Sequence, residues 1–358
     1  MRRAVSLLLL GMACWAAGAP PVRAAYDPVA SGATSLSLDP GFRHLLRQAG
    51  VRISAVAPAT LRGGVATFPV SGGKFDPVDG KGTVEHDGAL VLSRAGSSIP
   101  LKALQLKTSA PRAPFSAKLG GGQLKLLRAA SLEVSRQGFG DRVSTGSLRL
   151  SAKVATRLAK KLDMRGVLKA GQLLGEGSTR IQPEGVTLLP SGRAELALDP
   201  AFEAKLASLF VAVNPIFPAE HPGPFTFPIG GGRIAPNGSA GALSALGSLE
   251  FLQLGGAQVF WSAPSLDLGA ATFSPEVDTE PSPPYGGKVG SVVVAHLGGG
   301  AFTADPEVRT LHLSAASLAL DAATAAAFDD AFAKPEGRQG VFAGGEPIGT
   351  VSFSARGQ

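Results

Sequence analysis

The chain has 358 residues, a formal net charge of +7, 44% hydrophobic residues, 47 Gly and 27 Pro. At about 150 residues per domain this is two domains or slightly more, and the apolar content excludes a disordered chain. Glycine and proline without a short period exclude a collagen-like rod and point to many turns between short strands.

Residues 1–24 read as a secretory signal peptide. Arg2 and Arg3 form a basic start, Val5 to Ala13 an apolar run, and Val22-Arg23-Ala24 a small-residue cleavage site. The run is too short to span a bilayer, and no later segment is longer, so no transmembrane span is expected. The expected location is therefore extracytoplasmic, secreted or in the cell envelope. Cys14, the single cysteine, falls inside this segment. Leu10-Gly11-Met12-Ala13 is a poor lipobox and the residues after the Arg pair fit a twin-arginine signal poorly. Lipidation of Cys14 and the export route stay open at this stage. Cleavage after Ala24 leaves no disulfide, no thiolate metal site and no cysteine nucleophile.

From Ala25 to Pro190 there are 23 basic and 11 acidic residues, and from Ser191 to Gln358 there are 8 and 16. Two halves of opposite charge can dock on each other, or the basic one can face a polyanion. The basic half has no Trp, and its one Tyr, Tyr26, stands at its start, so the stacking residues that a nucleic-acid role needs are missing.

Leu36 to Gly73 recurs as Leu196 to Gly232. Leu38, Asp39, Pro40, Phe42, Leu46, Val51 and Pro58 fall on Leu198, Asp199, Pro200, Phe202, Leu206, Val211 and Pro218. A repeat this long is a duplicated domain. The expected units are 33–182, basic, and 193–356, acidic, with a linker within Ile181 to Gly192.

In chain order, Ser35 to Leu38 alternates as a half-buried strand. Asp39 caps a helix whose first residue is Pro40 and whose apolar face holds Phe42, Leu45, Leu46 and Ala49, with Gly50 at its end. Val51, Ile53 and Ala55 continue as a strand. Gly82 to Ser93 alternates as one strand, and segments at Leu101, Leu124 and Leu132 supply more. A second strand–cap–helix unit follows at Leu148 to Leu162, with counterparts of both units at Leu196 to Val213 and Leu318 to Phe332. Phe273 to Gly287, rich in proline and carboxylates, is expected as an exposed loop. The fold class is mainly β: two tandem Ig-like β-sandwich domains, each with short α-helices near its start and end.

No nucleophile elbow, zinc-protease helix or phosphate loop is present, and no metal-ligand spacing links the histidines, so no enzyme and no metal are expected. The runs Gly120-Gly121-Gly122, Gly230-Gly231-Gly232 and Gly298-Gly299-Gly300 suit hairpin turns. His86 shares a strand face with Val84 and Gly88, while Glu85 and Asp87 face the other way, which favours a structural histidine. His44 lies on the first helix beside Phe42 and Leu45.

The amphipathic start with Phe42, the Phe68-Pro69 strand and Gly82-Thr83-Val84-Glu85-His86-Asp87-Gly88-Ala89-Leu90 together resemble the HtaA domain. The resemblance covers both copies. It implies a β-sandwich with short helices in secreted or envelope-attached proteins whose best-known members bind haem for iron uptake. In those members a tyrosine of the opening segment ligates the iron and a strand histidine supports it. His86 matches that histidine. The tyrosine position falls near Leu45 and Lys205, neither of which ligates iron as a phenolate does, and Ala245 replaces the histidine in the second copy.

The resulting expectation is an exported binding protein of HtaA-like type with His86, His44, Phe42 and Phe68 as candidate ligand-binding residues and no resident cofactor. One alternative is haem or another apolar ligand in the first copy. The other is adhesion or scaffolding on cell-wall polyanions.

Overall fold

A computed structural model describes residues 26–119, 122–280 and 287–358. The signal segment 1–24, Cys14, Gly120-Gly121 and the centre of the expected loop at Phe273 to Gly287 lie outside the described residues. The chain is mainly β and folds as two consecutive units of the same design.

Each unit carries two helices where the caps predict them: α1 (Pro40–Gln48) and α2 (Ala152–Lys161) in the first, α3 (Pro200–Ser208) and α4 (Ala322–Phe328) in the second. The side chains of Asp39, Ser151, Asp199 and Asp321 each accept a backbone N–H of the following turn, satisfying donors that the helix itself leaves free. Phe42 and Leu46 are the buried residues of α1, and Phe202 and Leu206 those of α3.

The strands of the second unit close on themselves. Gln258–Asp267, Gly241–Ala245, Phe225–Ile234, Val186–Leu198, Pro347–Gly357, Thr310–Leu320, Ala295–Gly298 and Thr272–Glu280 pair in that order, and the last returns to the first. The expected sandwich is thus a single eight-stranded ring in this unit. The cause is Gln258–Asp267, which pairs with Gly241–Ala245 on one edge and Thr272–Glu280 on the other. The first unit repeats the order, with Phe115–Leu119 and Leu127–Ala129 facing each other at the seam. There the hydrogen bond from Leu126 N–H to the Phe115 carbonyl is 2.9 Å.

Four expectations change in detail. Gly82 to Ser93 is two strands, Lys81–His86 and Ala89–Arg94, broken at Gly88. Gly88 has φ +87°, and a Cβ there would stand 2.4 Å from Ala59 N, so only glycine admits this close crossing. Its counterpart Gly247, at φ +103° and 2.5 Å from Ala219 N, breaks the second unit in the same place. The junction between the units is shorter than 181–192: Leu173–Pro183 and Val186–Leu198 are both ladder strands. The first unit likewise begins earlier than 33, with Asp27 paired to Phe75. The acidic stretch Thr272–Glu280 is a strand, because Phe273, Val277 and their neighbours close the ring.

The units touch through charged side chains. Asp27 of the basic unit accepts from Thr187 at 3.3 Å and faces Arg233 at 3.6 Å. Arg136 donates to Asp141 at 3.2 Å and to the carbonyl of Gln358. Asp141 is only 5% exposed and its Oδ1 has no partner. Burial pushes its carboxyl up to about 6 against the pull of Arg136, with Asp27 raising it further and Arg309 opposing. A raised carboxyl favours the folded state while protonated, so this contribution is present below the ordinary value near 3.8 and is lost as pH rises toward 6. Asp141→Asn should therefore gain stability relative to the parent as pH rises from 4 to 6, which urea denaturation at several pH values checks.

Candidate functional site

His86 sits in the interior of the first unit, 4% exposed. Its Nδ1 lies 3.0 Å from the carbonyl of Leu104, which can only accept, so Nδ1 carries the proton. Nε2 is then an acceptor and takes the hydroxyl proton of Thr34 at 2.6 Å, and Thr34 in turn accepts from Thr179 at 2.7 Å. The chain Thr179 to Thr34 to His86 to Leu104 leaves no ring nitrogen for a ligand and joins separate strands across the interior. Burial first, opposed by the Leu104 bond and Asp87, holds the imidazole down at about 4, so it is neutral at physiological pH.

The second unit carries Ala194, Ala245 and Phe353 at the positions of Thr34, His86 and Thr179, as the ladders Thr34↔Thr179 and Ala194↔Phe353, and Val70↔His86 and Ile229↔Ala245, show. All three are buried. The polar chain is exchanged as a whole for apolar packing, as expected when a half-satisfied buried network costs more than none. The threonines escape a search for chemistry-bearing residues; their joint replacement in the repeat is the signal that reveals them.

The other expected residues separate. His44 is exposed on α1. Phe42 and Phe68, 3% and 2% exposed, meet in the core beside a cavity of about 70 Å³ walled otherwise by aliphatic side chains. Leu45 packs half-buried against the same core, and Lys205 forms an ion pair with Glu346. The candidates thus fall in three places: His86 in the strand interior, the phenylalanines at the cavity, His44 in solvent.

Beside the cavity lies a larger opening that the sequence reading did not single out. A pocket of about 490 Å³ is formed by α1 and the strands Arg52–Val56 and Thr60–Arg62, with Leu46, Val51 and Leu61 in its floor and Arg43, Arg47 and Arg52 around it. Arg43 packs over Gly64, donates from Nη1 to the Gly63 carbonyl at 3.4 Å, and keeps a shielded Nε with no partner. Arg43 and Arg47 are one helical turn apart, which puts both on one face. In the second unit the three positions are Glu203, Ala207 and Ala212, so the cationic rim belongs to the first unit alone. Such a pocket suits a ligand that is apolar on one side and anionic on the other. Other openings among the described residues include an apolar groove of about 250 Å³ along α4 floored by Trp261 and Phe328, and one of about 940 Å³ edged by Arg112, Lys125, Arg128 and Lys153. Among the described residues no group of His, Cys, Asp and Glu is arranged to hold a metal ion, and no helix is long and apolar enough to cross a membrane.

His86→Ala should cost about 3 kcal/mol, because a cavity opens and the Thr34 hydroxyl loses its acceptor. Adding Thr34→Ala and Thr179→Phe, the set of the second unit, should recover most of that loss. A base held below its ordinary value stabilises the fold fully above pH 6.5 and loses that contribution as pH falls toward 4, by up to about 3 kcal/mol. The acid-side loss should vanish in the triple variant, as thermal unfolding between pH 4 and 7 will show.

No protein-family model and no curated protein matches the chain. Among solved structures it is similar to the C-terminal domain of HtaA from Corynebacterium glutamicum, at 17% identity and a TM-score of 0.37, over 48% of this chain and 97% of that one. The N-terminal domain of the same protein is similar at 17% identity and a TM-score of 0.34, over 47% and 97%. Each matched structure is one domain, about half of this chain, and of the type that the sequence resembles.

Proposed function

We propose that the protein is an exported binding protein in which the first unit holds an anionic, partly apolar small molecule and the second serves as its structural companion. The observation that carries this is the arginine-rimmed, apolar-floored pocket at α1, whose three cations are all replaced in the second unit. Haem, with a flat apolar ring and two carboxylates, belongs to this ligand class and is the ligand implied by the resemblance to HtaA domains. Leu45 and the committed ring of His86 offer it no axial ligand, so it would be held by its carboxylates and its face. Export rests on Arg2-Arg3, the apolar run and Val22-Arg23-Ala24. No reacting group is assigned, and the protein is read as a binder without catalysis.

The test is a fluorescence titration of the mature protein with anilinonaphthalene sulfonate, an anionic apolar probe. One saturable site is expected, weakened tenfold or more in Arg43→Ala/Arg47→Ala/Arg52→Ala and unaffected by Lys205→Ala. Competition by hemin, followed also by its Soret band, would place haem among the ligands. Absence of a saturable site, or equal binding by the triple variant, would overturn the reading. A second reading is favoured by the groove edged by Arg112, Lys125, Arg128 and Lys153: retention on an anionic wall polymer. Retention that falls with salt and with charge reversal at Arg112 and Arg128 would support it.

A further inference from the structure

The core of the two units differs in one systematic way. Leu90 pairs with Leu101 in the first unit, and Leu249 pairs with Trp261 in the second. Leu92 faces Ile53 across its ladder, and Phe251 faces Val213 in the same position. Leu158 stands seven residues after the cap Ser151 of α2, and Phe328 seven after the cap Asp321 of α4. Three leucines in the first unit thus correspond to three aromatic residues in the second. There the rings are in contact, with Phe251 and Trp261 centroids 4.5 Å apart, Phe251 and Phe328 5.4 Å, and Trp261 and Phe328 5.6 Å. In the first unit the three leucines border the cavity of about 70 Å³.

That space is dry by chemistry, since its wall is aliphatic and phenyl, with no polar side chain to bind water. It is about half the size of a cavity that holds benzene, enough for the last few carbons of a chain. It also abuts the arginine pocket: Leu38 and Ile53 line both, Leu38 being buried and Ile53 half-buried. Leu38 and Ile53 therefore stand at the boundary between the two spaces.

We infer that the first unit binds an acyl anion, with its carboxylate or phosphate among Arg43, Arg47 and Arg52 and the end of its hydrocarbon chain past Ile53 in the leucine-walled cavity. This rests on the reading of the arginine pocket and adds the chain. The rim selects for negative charge, and the cavity selects for length. The second unit lacks the cations through Glu203, Ala207 and Ala212, and the rings of Phe251, Trp261 and Phe328 stand where the leucines border the cavity, its apolar groove lying along α4 instead.

The experiment is displacement of the anilinonaphthalene probe from the wild-type mature protein by straight-chain carboxylates of four to sixteen carbons, with the alcohols of equal length as controls. Affinity should rise about fourfold for each methylene that enters the cavity and then level off, with the alcohols at least tenfold weaker. Leu158→Phe, which places the ring of the second unit in the space, should flatten the length dependence while short carboxylates still compete. Because a larger core side chain can destabilise the fold, Leu101→Met and thermal unfolding of both variants serve as the check on folding. Carboxylates that all compete equally whatever their length would overturn the acyl proposal and leave the pocket reading standing. Failure of every carboxylate alongside normal probe binding would likewise remove the acyl anion. Loss of probe binding itself would defeat the pocket reading first.

The source of the anion is separated by a third arm. Competition by a lysophospholipid as strong as that by the free carboxylate of equal chain length would assign the site to lipid headgroups as well. Competition by the free carboxylate alone would restrict it to fatty acids.

Discussion

The fold of the first unit depends on a polar chain buried where water cannot reach it. A histidine, two threonines and a carbonyl can occupy that interior only if every donor finds an acceptor, and the four groups satisfy one another in a single arrangement. That requirement decides the tautomer of His86, keeps it neutral and ties together strands distant in sequence. It also engages both ring nitrogens. The second unit reaches the same backbone through Ala194, Ala245 and Phe353, which shows that the duplicated sheet needs a filled interior and tolerates two chemistries for filling it.

After duplication, the surroundings of the helices diverged in two linked respects. The first unit has aliphatic residues inside and arginines outside; the second has aromatic rings inside and none of these three arginines. Aromatic pairs contribute packing and ring contacts together, so the second core is the more completely filled at these positions. Leucines in the same frame leave unfilled volume, which lowers stability unless something occupies it. Two interiors of different chemistry follow from the same backbone by changing a few side chains.

Much of the architecture was legible in the sequence because local rules sufficed. Asp39-Pro40 and Asp199-Pro200 announced α1 and α3, Ser151 and Asp321 announced α2 and α4, and the repeat made each prediction twice. Ring closure was not legible, since it depends on which edges of Gln258–Asp267 find partners far along the chain. The strand break at Gly88 was hidden because alternation continues across it, and only the crossing of Ala59 forbids a side chain there. The site was legible least. Phe42 and Phe68 were found as aromatic residues of the repeat, but Arg43, Arg47 and Arg52 look like ordinary solvated charges until the fold sets them around one pocket with Leu61.

Both rings are closed at their seams by backbone hydrogen bonds. In the second, Thr272 and Phe273 pair with His296 and Ala295, and backbone N–H groups of Val294 and Leu297 also bond across. In the first, the bond from Leu126 N–H to the Phe115 carbonyl continues the ladder that begins with Ser116 opposite Lys125 and Ala117 opposite Leu124. Ala117, Leu126 and Leu127, on the two sides of this seam, are also walls of the leucine cavity. Local opening of this hairpin would uncover the wall of the cavity, so the stability of the seam bears on access to the interior. Amide protons at this seam should therefore be the gauge of how often the interior of the first unit communicates with solvent.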